Sequence, residues 1–171
     1  MAIDATIGGA SANSFVTLAE YQDYRATFYG IDGTEDDLTD EMHVLRACRH
    51  IERAYVWLGQ RVTSTQAREW PRYISGYVEG FPVPTDAIPQ AIKDAQCELA
   101  YQISQGATPD NTLTNGAVVR KREKVDVIEE ETVYAEASRE REAYPVVDGL
   151  VSPYALAKRG ARAASIGLVR A

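Results

Sequence analysis

Between Gln60 and Pro84 the chain interleaves cations with aromatic rings: Arg61, Arg68, Trp70, Arg72, Tyr73 and Tyr77. Guanidinium groups neutralise phosphate, and the flat faces of tyrosine and tryptophan stack on unpaired bases of any sequence. These six residues are the candidate contacts for single-stranded DNA. A search for catalytic signatures gives nothing comparable. The chain has no GxSxG, P-loop, GxGxxG, HExxH, CxxC or DxDxDG pattern, so the expectation is a protein that is not an enzyme and uses no cofactor. His43 and His50 lie seven apart without a third ligand, which leaves no metal site. Cys48 and Cys97 fall on apolar stripes and read as two reduced core thiols.

The elements that must position these side chains are helices. Thr17-Leu18-Ala19-Glu20 is a capping box, and Leu18, Tyr21, Tyr24 and Phe28 make an apolar face that runs to Gly30. Thr39 or Asp40 caps a long central helix whose stripe is Met42, Leu45, Cys48, Ile51, Tyr55 and Leu58, with Gly59 as its stop. The polar face of that helix carries Arg46, Arg49, His50 and Arg53, a strip suited to phosphate or to a neighbouring subunit. Thr85 or Asp86 caps a third helix with Pro89 in its first turn, and Ile88, Ile92, Ala95, Leu99 and Ile103 form its stripe. Residues 1–14, rich in Gly, Ala and Ser, read as a mobile or strand-like arm.

Farther on, the β-branched alternation from Val118 to Tyr134 predicts two strands of a hairpin. The stretch from Tyr144 to Pro153 reads as extended, with Ser152 and Pro153 opening a last short helix. The fold class expected is mainly α: an antiparallel bundle of three to four helices (residues 1–114), an inserted β-hairpin (115–136) and an extended C-terminal docking tail (137–171).

Composition sets bounds on function. The 171 residues carry a net charge of −7 at pH 7, which works against phosphate binding by the domain as a whole. The charge is uneven: from Gly149 to Ala171 there are four cations, Lys158, Arg159, Arg162 and Arg170, and no carboxylate. Such asymmetry points to an acidic partner or an acidic neighbour subunit for the tail. No apolar run approaches the roughly 20 residues of a membrane span, and the first residues lack a signal-peptide pattern. The expectation is synthesis in the cytoplasm and no membrane partner.

A helix carrying Leu45-Arg46-Ala47 and Ile51-Glu52, then Trp57-Leu58-Gly59, a Gln-containing loop and Trp70-Pro71-Arg72, resembles a family of small tailed-phage proteins. Asp86-Ala87-Ile88-Pro89, the segment from Lys121 to Tyr134, and Tyr144-Pro145-Val146-Val147-Asp148-Gly149-Leu150 agree in order and spacing. That family is labelled DnaT-like single-stranded-DNA-binding and is read structurally as head-tail connector, or adaptor, proteins. The resemblance implies a bacteriophage virion protein of the neck, made in the host cytoplasm. Its copies would form a homo-oligomeric, dodecameric ring under the portal protein, contact a downstream tail, stopper or terminator protein, and let DNA pass without specific binding.

In that reading, Tyr154, Leu156, Lys158, Arg159, Arg162 and Arg170 dock on the portal. Val118, Val119, Val125, Val127, Val133 and Tyr134 close the ring, because a lone hairpin gains from pairing with a neighbouring copy. The alternative is a single-stranded-DNA-binding replication protein that uses the six cationic and aromatic residues.

Overall fold

The computed structural model describes residues 2–31, 36–109, 118–122, 131–134 and 144–159. Helix α1 (Leu18–Tyr29) starts as its capping box requires. Thr17 Oγ1 accepts the Glu20 N–H at 3.2 Å, while Glu20 Oε2 accepts the Thr17 N–H at 2.6 Å. Gly30, with φ 64°, ends it in the left-handed conformation. Its buried residues are Tyr21 and Arg25, and Phe28 stands exposed. Arg25 Nη1 bonds Asp40 Oδ1 at 3.0 Å in the core, so an ion pair rather than a fully apolar stripe joins α1 to the next helix.

Helix α2 (Asp37–Ala54) is capped by Asp36, three or four residues before the position expected, so Thr39 and Asp40 lie in its first turn. It ends four residues short of Leu58. The buried face is Asp40, Val44, Ala47, Cys48, Ile51 and Ala54, rotated from the expected stripe, and Met42 is exposed. The helix stops early because of the run Tyr55-Val56-Trp57, whose aromatic and β-branched residues suit a pleated strand. They form β1 (Tyr55–Trp57), antiparallel to residues 155–158. Gly59 is therefore a turn residue and not a helix cap. Its φ is 65°, and a Cβ there would lie 2.1 Å from the Tyr73 carbonyl oxygen, so no larger residue fits.

Short ladders follow. β2 (Gln60–Arg61) pairs with β3 (Arg72–Tyr73), and β4 (Tyr77–Val78) pairs with β5 (Phe81–Pro82), both antiparallel. Helix α3 (Gln90–Ser104) begins after Pro89 rather than at Thr85 or Asp86. A residue preceding proline is pushed out of the helical region, which holds Ile88 outside. The predicted stripe of Ile88, Ile92, Ala95, Leu99 and Ile103 is wholly buried. α3 packs most extensively against α2, and also against α1.

β6 (Val118–Arg122) and β7 (Glu131–Tyr134) pair antiparallel, with Val118 opposite Tyr134. The C-terminal region reverses the expected order. Pro145, preset for a first helical turn, opens α4 (Pro145–Val151), whose Val147 and Val151 are buried against α3. A 3-10 turn (Ser152–Tyr154) leads to β8 (Ala155–Lys158), which pairs with β1.

The N-terminal segment is also built in. Phe15 and Val16 are core residues, and buried Gln96 of α3 accepts the Phe15 N–H at 2.9 Å while donating to Ser14 Oγ and the Val44 carbonyl. The architecture among the described residues is mainly α, with four helices and four two-stranded antiparallel ladders.

Candidate nucleic-acid interface

The six cationic and aromatic residues divide into two sets. Trp70 is 0% exposed; its indole meets Trp57 and Tyr154 edge to face, each at 5.7 Å between centroids. Arg72, 7% exposed, points inward from β3. Its Nε donates to the Leu58 carbonyl at 2.8 Å, Nη2 to the Gly59 carbonyl at 2.7 Å, and Nη1 to Glu69 Oε2 at 2.6 Å. Arg68 donates from Nε to the Ala12 carbonyl at 2.9 Å and from Nη1 to Glu52 Oε2 at 2.8 Å. These three residues hold the loop to the body: Trp70 and Arg72 are buried, and Arg68, partly exposed, spends two of its donors on the fold.

The other three remain available. Arg61 is exposed, with one donor on the Gln66 carbonyl at 3.3 Å. Strand alternation turns Tyr73 out as it turns Arg72 in, and turns Tyr77 out as it buries Val78. Tyr73 is 53% exposed and Tyr77 75%. Phe81 on β5 joins them at 73%. Phe81 is not among the six candidate contacts read from the sequence, although it belongs to the same aromatic-rich connection and is flanked by Gly80 and Pro82.

The second source of charge is α2. Arg46, Arg49 and Arg53 are exposed and share one arc of the helix by their spacing of three and four. None of the three ion-pairs with another described residue. Glu52, on the neighbouring arc, faces the loop. Its Oε1 accepts the Glu69 N–H at 2.8 Å, and its charge is felt by Arg68 and Arg61. Burial pushes the Glu52 carboxyl above the ordinary glutamate range, against the Glu69 N–H and Arg68, which pull it down. Glu52 thus ties the loop that carries Arg61 and Tyr73 to the helix that carries the arginine row.

The residues assigned to portal docking and ring closure sit as follows. Tyr154 is partly buried beside Trp70, and Leu156 is exposed on β8. Lys158 Nζ bonds both Asp148 oxygens, at 2.8 and 2.9 Å, and Asp148 also accepts the Tyr55 hydroxyl. Arg159 donates from its backbone N–H to the Ala54 carbonyl and from Nε to the Tyr55 carbonyl at 3.1 Å. Arg162 and Arg170 lie outside the described residues, as do Val125 and Val127. Val118 and Val119 are on β6, and Val133 and Tyr134 on β7.

Both cysteines are free and buried, and burial raises the Cys48 thiol to about 12. Among the described residues no group of three or more His, Cys, Asp or Glu is placed to hold a metal ion, and no helix is long and apolar enough to cross a membrane.

A family profile described as "Putative DnaT-like ssDNA binding protein" matches residues 1–171. No curated protein and no solved structure matches the chain. The family match corrects the expected function. It carries the single-strand-binding alternative over the full length, and it gives no support to a head-tail connector, a portal adaptor or a virion neck protein.

Proposed function

We propose that this chain, which belongs to the DnaT-like single-stranded-DNA-binding family by its match over residues 1–171, binds unpaired DNA across the exposed ladders that follow α2. The carrying observation is the trio Tyr73, Tyr77 and Phe81, three large rings that stand in water within ten residues of one another. Exposed rings of this kind stack bases without choosing a sequence, each contributing about 1–3 kcal/mol. The backbone of the strand runs along Arg46, Arg49, Arg53 and Arg61, whose guanidinium groups have few or no competing partners in the fold.

The net charge of −7 is no obstacle to this arrangement, because phosphate responds to the local field and not to the sum over the molecule. Beneath the surface we take α1 to α4 as one bundle centred on α3. Trp70, packed on Trp57 and Tyr154, and Arg72, bonded to Leu58, Gly59 and Glu69, then tie the loop down, so that Tyr73, the outward neighbour of Arg72 on β3, is fixed in place.

The test is fluorescence anisotropy with a labelled oligo-dT at two salt concentrations, with duplex DNA as competitor. Binding that weakens with salt and resists the duplex supports the reading. Absence of binding at low salt overturns it.

A further inference from the structure

The hairpin of β4 and β5 turns through Glu79 and Gly80, with φ of 51° and 87°. Positive φ at both central positions makes a type I′ turn, in which Asn or Gly normally comes first. A left-handed residue with a side chain costs about 1–2 kcal/mol, and Glu79 is the one non-glycine with positive φ among the described residues. Its carboxylate makes no hydrogen bond or ion pair with them. A strained residue that bonds nothing in the fold directs attention to what it faces.

Glu79 lines a groove of about 230 Å³ with Phe81, Pro82, Gln90 and Tyr154. Val78, buried, anchors one side of the hairpin, and Trp70 fixes the Tyr154 ring from below. The volume falls under the roughly 300 Å³ at which ligand pockets usually begin, so it admits one flat ring and little more. Burial, and after it the Glu79 charge, hold the Tyr154 hydroxyl pKa above its ordinary value.

We infer that this groove receives one unpaired base that presents amino donors on its Watson–Crick edge, guanine foremost, with the ring against Phe81 and Tyr154 and the donors on Glu79. The inference rests on the single-strand-binding reading and names the base that reading leaves open. A carboxylate repels phosphate, so the groove selects a base and not backbone. Guanine sets N1–H beside its 2-amino group, two donors for two oxygens. Cytosine and adenine set one amino group beside an acceptor nitrogen, which the carboxylate repels, and thymine sets its single N–H between two carbonyls. Discrimination by one good bidentate contact is about 1–3 kcal/mol.

The experiment compares the full chain binding oligo-dT and the same oligonucleotide with one central dG. The wild type should favour the dG strand about fivefold or more. Glu79→Gln should abolish the preference and keep the oligo-dT affinity. Glu79→Gly should abolish it too while raising the melting temperature, since glycine relieves the turn. Equal binding of both strands by the wild type overturns the inference and leaves the single-strand reading standing. Binding of neither overturns both. Saturation of the groove by a proline-rich peptide, with no response to the guanine, overturns the inference in favour of a peptide site.

Discussion

Arg68 and Arg72 of the loop and Arg49 and Arg53 of α2 are the same residue type a short distance apart in sequence, and the fold treats them in opposite ways. The loop pair is turned inward onto carbonyls and carboxylates: Ala12, Leu58, Gly59, Glu52 and Glu69. The helix pair stands in water without an ion-pair partner among the described residues. The aromatics split the same way, with Trp70 in the core and Tyr77 and Phe81 outside. A residue whose donors are taken up by its own fold has less left to give a ligand, so availability follows from what each side chain bonds and how far it is buried, and not from the count of cations.

The sharpest test of the inward set is Trp70→Ala. Removing a fully buried indole from between Trp57 and Tyr154 should cost about 3–5 kcal/mol, read as the shift in a urea midpoint. If stability held and only DNA binding fell, Trp70 would belong with the outward set and the division would fail. Arg72→Ala comes next, at about 2 kcal/mol, because it leaves the Leu58 and Gly59 carbonyls without their donors. Arg72→Lys should recover little of that, since an ammonium cannot reproduce the planar fork across Leu58, Gly59 and Glu69.

How this division could be read from the sequence differs from place to place. The capping box at Thr17 and the buried stripe of α3 were legible, because local hydrogen bonding and period fix them. The end of α2 was not: the helical spacing of Tyr55 and Leu58 continued a pattern that pairing with β8, a hundred residues away, cut short. Long-range pairing of that kind leaves no local mark. The order of helix and strand after Tyr144 was misread for the same reason, since β8 exists only against β1. Within the candidate interface, the residue types were visible but not their direction. Which of two adjacent residues, Arg72 or Tyr73, faces out depends on the register of β3 against β2.

The outward set is sharpened by binding measurements. Tyr77→Ala and Phe81→Ala should each weaken oligo-dT binding by about 1–3 kcal/mol, with stability within about 0.5 kcal/mol of wild type. A large loss of stability in either would show that the ring packs after all. Arg49→Ala and Arg53→Ala should leave the urea midpoint unmoved and lower the salt dependence, by about 0.7 in the slope of log K against log salt for each phosphate released. An unchanged slope would remove the helix from the interface and leave the ladders alone.

The smallest effect falls on the residue between the two sets. Glu52 rises from the helix of the outward arginines but is bonded to the inward Arg68 and to the Glu69 N–H. Burial raises its carboxyl above the ordinary value of 4.5, so the folded chain holds that proton more tightly than the unfolded one. By linkage its contribution to stability is complete below pH 4.5 and is lost as pH rises through the folded value. Glu52→Gln cannot titrate, and its amide oxygen can still accept one of the two bonds. Plotted against pH, the difference in urea midpoint between wild type and Glu52→Gln should therefore move against the wild type across that window and then level off. A difference that moved in the opposite direction would mean that Arg68 outweighs burial at this carboxylate. Arg68 would then act chiefly as a counter-ion to Glu52, with the loop held by Arg72 and Trp70.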